Sequence, residues 1–159
     1  MKDILLVNFI DLTIEEKKLI LSWRNHSDIK KWMYTTQAIT LEEHLKFIDT
    51  LKNSKDKKYF VIKNKDIYLG VIDFYNITKN SVKIGLYKNP QVQNIGKLLL
   101  DTLLQYSFDI LKVDVVISEV FQSNEKAYKL YLSIGFKSFG SKIINNKKVI
   151  CMELKRENW

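Results

Sequence analysis

Asn124-Glu125-Lys126-Ala127-Tyr128-Lys129-Leu130-Tyr131-Leu132-Ser133-Ile134-Gly135-Phe136 is a helix with a marked face and a marked stop. Asn124, Ala127, Tyr128 and Tyr131 fall on one side by the i, i+3, i+4, i+7 rule. Gly135 is a good C′ residue, so the helix ends at Ile134. An amide and a phenol on an otherwise apolar stripe point to polar chemistry there. The plain alternative for Tyr131 is a core aromatic, the default for a tyrosine spaced with Ala127 and Ile134.

Working outward, Val113 to Val120 is β-branched on both phases, which predicts a strand covered on both faces. Glu119 is in phase with Val113, Val115 and Ile117, and an isolated buried carboxylate is costly unless paired or functional. Otherwise the strand has simply reached solvent. Before it, a helix is expected from about Ile95 to Leu111, with Lys97, Asp101, Gln105 and Asp109 as its single wet stripe. Between a strand and that helix lies Gln91-Val92-Gln93-Asn94-Ile95-Gly96-Lys97. Successive backbone N–H groups and the positive helix end can cradle a pyrophosphate there, with Gly96 leaving room for the anion.

The remaining elements follow from periodicity and caps. Ile4 to Ile10 has strand character. Thr13-Ile14-Glu15-Glu16 and Thr40-Leu41-Glu42-Glu43 carry the T-x-x-E capping signature and open two helices, with a short one between them from Ser27. Period 2 marks strands at Tyr59 to Lys63, Ile67 to Ile77 and Val82 to Tyr87. Phe136 to Ile144 and Val149 to Leu154 close a hairpin across Asn145-Asn146. The order is strand, helices, three strands, helix, strand, helix, two strands: one α/β sandwich domain, residues 1–159, around a mixed sheet.

The two motifs resemble those of the GNAT superfamily of N-acetyltransferases. Its acetyl-CoA loop reads Gln/Arg-x-x-Gly-x-Gly/Ala, and its next motif reads Asn-x-x-Ala-x-x-x-Tyr-x-x-x-Gly-Phe. The second match is complete. The first departs at Asn94, where the family usually has Gly, and Asn tolerates a left-handed backbone better than most residues. The resemblance implies a central, mixed but mostly antiparallel, twisted sheet of about seven strands with helices on both faces. It also implies acetyl-CoA as donor, held by Gln91 to Lys97 and Asn124. Backbone N–H groups near Leu86 and Tyr87 would polarise the thioester, and Tyr131 would protonate the leaving thiolate.

Within that superfamily, Trp23-Arg24-Asn25 and Lys30 to Tyr34 resemble the branch acting on nucleotide-linked amino sugars and also acetylases of ribosomal-protein N termini; read as a whole, with Asn89-Pro90 and Val92 to Lys97, the chain resembles the acetyltransferases of pseudaminic acid synthesis. That implies the substrate UDP-4-amino-4,6-dideoxy-N-acetyl-β-L-altrosamine. Glu119 is then the candidate base. Arg24 suits a diphosphate. His44 is placed to stack on a base, and Thr78, Lys79 and Tyr87 to line the nucleotide site. The bland readings are a surface ion pair for Arg24, a helix-boundary histidine for His44, a solvated cap for His26 and solvated turn residues for Thr78 and Lys79.

Composition narrows the rivals. The 159 residues are 46% hydrophobic and 28% charged, with a net charge of +8. Only two of the 26 basic residues are arginines, Arg24 and Arg156, which argues against nucleic-acid readout. The lone Cys151 forms no internal disulfide or zinc site, and no apolar run reaches the roughly 18 residues of a membrane span, so a cytosolic enzyme without metal is expected. Oligomeric state stays open, a homo-oligomer included. The rival functions are a protein N-terminal acetylase, which needs an open peptide groove, and a basic RNA- or protein-binding domain without acetyl-CoA affinity.

Overall fold

The computed structural model describes residues 3–159. Strand β1 (Ile4–Asn8) stops short of Ile10 because the Asn8 side chain accepts from the Ile10 N–H at 3.1 Å and turns the chain into a 3-10 turn, Phe9–Asp11. Helix α1 (Ile14–Arg24) starts in a complete capping box: Glu16 N–H donates to Thr13 Oγ1 at 3.1 Å, and Thr13 N–H donates to Glu16 Oε1 at 2.9 Å. The short α2 (Ser27–Lys30) is capped by His26, as expected of a solvated cap. Helix α3 (Leu41–Leu51) repeats the box with Thr40 and Glu43.

Strands β2 (Lys58–Asn64), β3 (Ile67–Tyr75) and β4 (Ser81–Lys88) form an antiparallel meander. After α4 (Gly96–Gln105) come β5 (Val115–Phe121), α5 (Glu125–Ile134), β6 (Lys137–Ile144) and β7 (Lys147–Lys155). The seven strands form one sheet in the order β1-β2-β3-β4-β5-β7-β6, and β4–β5 is its one parallel pair among the described residues. The β6–β7 turn puts Asn145 and Asn146 at φ of 52° and 62°, the left-handed pair that a two-residue hairpin loop needs. Gly135 stops α5 at φ of 118°.

Each sheet face carries its own core. Phe9, Ile20, Trp23, Ile48 and Leu51 from the α1/α3 side pack on Val61 and Val71. On the other face Leu99, Leu100, Leu103 and Leu104 of α4 join Ile72, Phe74, Val82, Ile84 and Val116. The stripe Lys97, Asp101, Gln105 and Asp109 faces water as its spacing predicts.

The expected helix to Leu111 is modified at its end. Regular α geometry stops at Gln105, and Tyr106–Ile110 forms a widened turn in which Leu111 N–H donates to Tyr106 O at 3.0 Å. Within this turn Ser107 is fully buried and satisfies its hydroxyl by donating to Leu103 O at 2.9 Å. Arg156 completes the junction, its Nη2 donating to the carbonyls of Phe108 and Val113, both at 2.8 Å. Arg156→Ala is expected to cost roughly 1.5 to 3 kcal/mol, the range for hydrogen bonds involving a charged group, measured by urea denaturation. A parental midpoint would show that water serves these carbonyls equally well.

Candidate active site

The parallel pairing of β4 with β5 is short. It runs from Ser81 opposite Val115 to Ile84 opposite Ser118, yet β4 continues to Lys88 and β5 to Phe121. Past Ile84 the two strands diverge, leaving an edge of β4 with no strand partner on that side. A cavity of about 960 Å³ occupies the gap, bounded by Gly85, Leu86 and Tyr87 on β4 and by Glu119, Val120 and Phe121 on β5. It reaches both sheet faces: Asn124, Ala127, Leu130 and Tyr131 of α5 line one side, and Tyr59, Asp73 and Tyr75 line the other.

The loop before α4 meets the cavity at its inner end. Asn94 sits at φ of 57°, the left-handed conformation that its side chain tolerates. The α4 N-terminus has no side-chain cap, so its first N–H groups are available beside Asn94, Ile95, Gly96 and Lys97, all of which line the cavity. Gly96 also allows α5 to approach, since a Cβ there would stand 3.3 Å from Leu130 Cδ2. The outer half is structural: Val92 packs against the core, Gln91 N–H donates to Asn89 Oδ1 at 3.0 Å, and Lys88 Nζ donates to Val92 O at 2.9 Å. Gln91 and Gln93 are exposed and, like Val92, lie outside the cavity lining. Asn124 lines the cavity but spends its carbonyl oxygen capping α5, on Ala127 N–H at 3.3 Å.

Tyr131 is packed in the core and also forms part of the cavity wall. It is 6% exposed and packs edge-on against Phe136 at 5.0 Å, and it also lines the cavity. Burial raises the phenol pKa, the nearby Ser118 hydroxyl partly offsets this, and the Asp73 carboxylate adds to it. The Ser118 hydroxyl is buried without a hydrogen bond of standard geometry. A phenol in this setting stays protonated at neutral pH and can donate.

Glu119 is paired, as a buried carboxylate on this strand phase must be unless it is functional, and it is not an available base. Its carboxylate accepts from Tyr34 Oη at 2.5 Å, Lys142 Nζ at 2.8 Å and Lys83 Nζ at 3.2 Å, with its side chain 7% exposed. Burial alone would raise its pKa, but those three donors outweigh it and hold the group below its ordinary value. A carboxylate so satisfied is a poor proton acceptor. It is a clamp, joining β4, β5 and β6 to the segment after α2.

That segment, residues 31–40, is a strap over the cavity. Trp32, Met33 and Tyr34 line it from above. Besides Glu119, it is held by Asn145 Nδ2 to Tyr34 O at 2.6 Å, by Arg24 Nη2 to Thr35 O at 3.1 Å, and by Asn25, which donates to Ile39 O and accepts from Ile39 N–H, both at 2.8 Å. The Tyr34 ring stands edge-on to Phe121 at 5.5 Å. Trp23 roots α1 in the core, so Trp23-Arg24-Asn25 is the strap's anchor.

Four substrate expectations change. Arg24 does not line the cavity; one guanidinium nitrogen is committed to the strap, while Nη1 is buried without a partner. His44 is 6% exposed between α3 and α1, with Nε2 at 2.9 Å from Lys17 O, so it is unavailable to stack on a base. Burial lowers its pKa. Thr78 spends its hydroxyl inside its own turn on Ser81 and Asn80, and Lys79 is exposed; neither lines the cavity. Tyr87 does line it.

Asp73, inside the apolar run Ile67 to Ile77, carries no motif that marks it. It is 8% exposed and lines the cavity, and among the described residues no donor is hydrogen-bonded to its carboxylate. Burial pushes its pKa up to about 7. The available signal was an acid amid Leu69 to Phe74, a run buried at every position.

Residues 7–137 match the family model described as an acetyltransferase (GNAT) domain. The chain belongs to the GNAT acetyltransferase family. Acetyltransferase PseH of Campylobacter jejuni is 46% identical over 126 residues, covering 79% of this chain and 80% of that protein. Its counterpart in a second strain is 43% identical over the same length. The crystal structure of C. jejuni N-acetyltransferase PseH superposes with a TM-score of 0.82 at 35% identity, over 97% of this acetyltransferase and 99% of that chain. The same enzyme in complex with acetyl coenzyme A gives 0.81. Spermidine N-acetyltransferase from Vibrio cholerae shares the fold, with a TM-score of 0.88 at 20% identity over 99% of this chain and 98% of that one. The expected sandwich of seven mixed strands with helices on both faces is the GNAT fold. Among the described residues no cluster of metal-binding side chains is present, and no helix is long and apolar enough to cross a membrane.

Because its folded pKa is depressed, Glu119 stabilises the acetyltransferase above its ordinary value of 4.5, and this contribution is lost as pH falls through the folded pKa. Glu119→Gln is therefore expected to lower Tm near neutral pH, with the gap to the parent closing in acid. Equal melting curves at neutral pH would show that the clamp contributes nothing.

Proposed function

We propose that this enzyme transfers the acetyl group of acetyl-CoA to the 4-amino group of UDP-4-amino-4,6-dideoxy-N-acetyl-β-L-altrosamine, in pseudaminic acid synthesis for flagellin glycosylation. The observation that carries the reading is the strapped cavity at the β4–β5 gap. It has one polar end at the α4 N-terminus and one apolar end at Ile29, Trp32 and Met33. The first suits a pyrophosphate, and the second suits the methyl group of a 6-deoxy sugar. A protein N-terminus would need an open groove, and the strap pinned over the cavity favours the nucleotide sugar. The lone, free Cys151 accords with a reducing cytosol.

The donor's pantetheine would run along the free edge of β4, where a backbone N–H near Leu86 or Tyr87 polarises the thioester carbonyl as negative charge develops. The neutral amine attacks the carbonyl carbon, a C–N bond forms, and the C–S bond breaks on collapse. Tyr131 gives its proton to the departing sulfur, and its raised pKa suits that role.

The direct test is mass spectrometry of a UDP-amino-sugar panel incubated with enzyme and acetyl-CoA. Acetylation of the 4-amino altrosamine nucleotide is the expected result; modification only of peptide N-termini would replace this reading with the N-terminal acetylase. Tyr131→Phe should retain acetyl-CoA binding and lose roughly 10² to 10⁴ in turnover, measured by thiol release. Undiminished turnover would remove the acid assignment. Gly96→Val should weaken acetyl-CoA binding by calorimetry, because the side chain would crowd Leu130 and the anion site together. Parental affinity in the folded variant would move the phosphate site elsewhere.

A further inference from the structure

We propose that Asp73 is the proton acceptor for the substrate amine. The inference rests on the reading that this cavity joins acetyl-CoA to an amine, and it assigns a group that the motifs leave unassigned. Three carboxylates line the cavity: Asp28, Asp73 and Glu119. Asp28 is on the short α2 with its side chain 67% exposed, beside His26. Glu119 is consumed by three donors. Asp73 alone is both buried and unpaired.

Its position fits the task. On β3 it stands directly opposite Gly85 of β4, at the point where β4 leaves β5. A Cβ at residue 85 would lie 2.8 Å from both Asp73 carboxylate oxygens, so the glycine gives the acid its space. Tyr59 of β2, Tyr75 of β3, Tyr87 of β4 and Tyr131 of α5 all sense the Asp73 charge. The acid therefore sits among the phenols around the gap, within electrostatic reach of Tyr131. No lysine or arginine contributes to its ionisation; burial is the sole cause of its raised pKa. An acceptor poised near neutrality is what general base catalysis requires.

The protons balance. The substrate ammonium loses one proton to the Asp73 carboxylate, which later releases it to solvent. The freed lone pair forms the C–N bond. As the C–S bond breaks, the sulfur takes the Tyr131 proton, and the second proton leaving nitrogen restores Tyr131 through solvent. The amide keeps the third.

The test compares the parent, Asp73→Asn and the smaller Asp73→Ser in thiol-release assays with acetyl-CoA and the 4-amino UDP-sugar. Acetyl-CoA affinity is measured alongside. Expected are unchanged affinity, a kcat lowered roughly 10²- to 10⁴-fold near neutral pH, and partial rescue as rising pH supplies neutral amine from solvent. Parental kcat, or a loss that pH does not relieve, overturns the proposal. A parent that ignores the sugar but acetylates spermidine or a peptide N-terminus sinks the sugar reading instead, and the comparison is then made on the accepted amine. A substrate-free readout decides the matter if no amine is accepted. Asp73 binds its proton more tightly folded than unfolded, so its stabilisation is complete below pH 3.8 and is lost as pH rises through about 7. The Tm of Asp73→Asn minus that of the parent should therefore increase across that window, and a flat difference would show that Asp73 does not titrate there.

Discussion

Everything specific to this acetyltransferase depends on the place where β4 and β5 stop pairing. Two parallel strands held only from Ser81–Val115 to Ile84–Ser118 form the floor of a wedge. Backbone polar groups on a strand edge normally seek another strand, and an unpaired edge inside a sheet is unfavourable unless a ligand completes it. Here the unpaired edge of β4 opens into a cavity that also meets the uncapped start of α4. One break in one ladder thus brings a free strand edge and a free helix N-terminus to the same cavity. The two cores, one on each sheet face, hold the wedge open by keeping the strands rigid to either side.

Electrostatics then divides the labour between two carboxylates. Glu119 and Asp73 both face the cavity, and both are largely withdrawn from water. Glu119 has two lysines and a phenol on it and stays ionised; Asp73 has none and holds its proton up to about pH 7. Pairs of acids pushed in opposite directions by their surroundings are a recurrent way to obtain distinct roles from identical chemistry. The paired acid fastens the wedge, and the unpaired one remains reactive.

The strap shows how the helical first third serves the site without supplying catalytic groups. Asn25 and Arg24 at the end of α1 grip Ile39 and Thr35, and Tyr34 reaches across to Glu119 and Asn145. Both scarce arginines are committed to backbone carbonyls, Arg24 to Thr35 and Arg156 to Phe108 and Val113. The rest of the basic excess is lysine, without the bidentate fork that a guanidinium offers.

Much of the fold was legible because it is written locally. Capping boxes, the alternation in β2 to β4, the wet stripe of α4, the Asn145-Asn146 turn and the Gly135 stop all act within a few residues and took the predicted form. The Asn124-to-Phe136 motif also brought Tyr131 to the cavity, because helical spacing decides which side chains share a face. What sequence alone misjudged was set by partners far along the chain. Glu119 read as a candidate base, yet it is held by donors that lie 85, 36 and 23 residues away. Asp73 looked like one residue in an apolar strand, and its character comes from what burial removes: water and any compensating cation. Local pattern thus determined the elements and the cofactor-side face, whereas the ionisation and availability of each polar group were decided only when tertiary packing chose its neighbours and its dielectric.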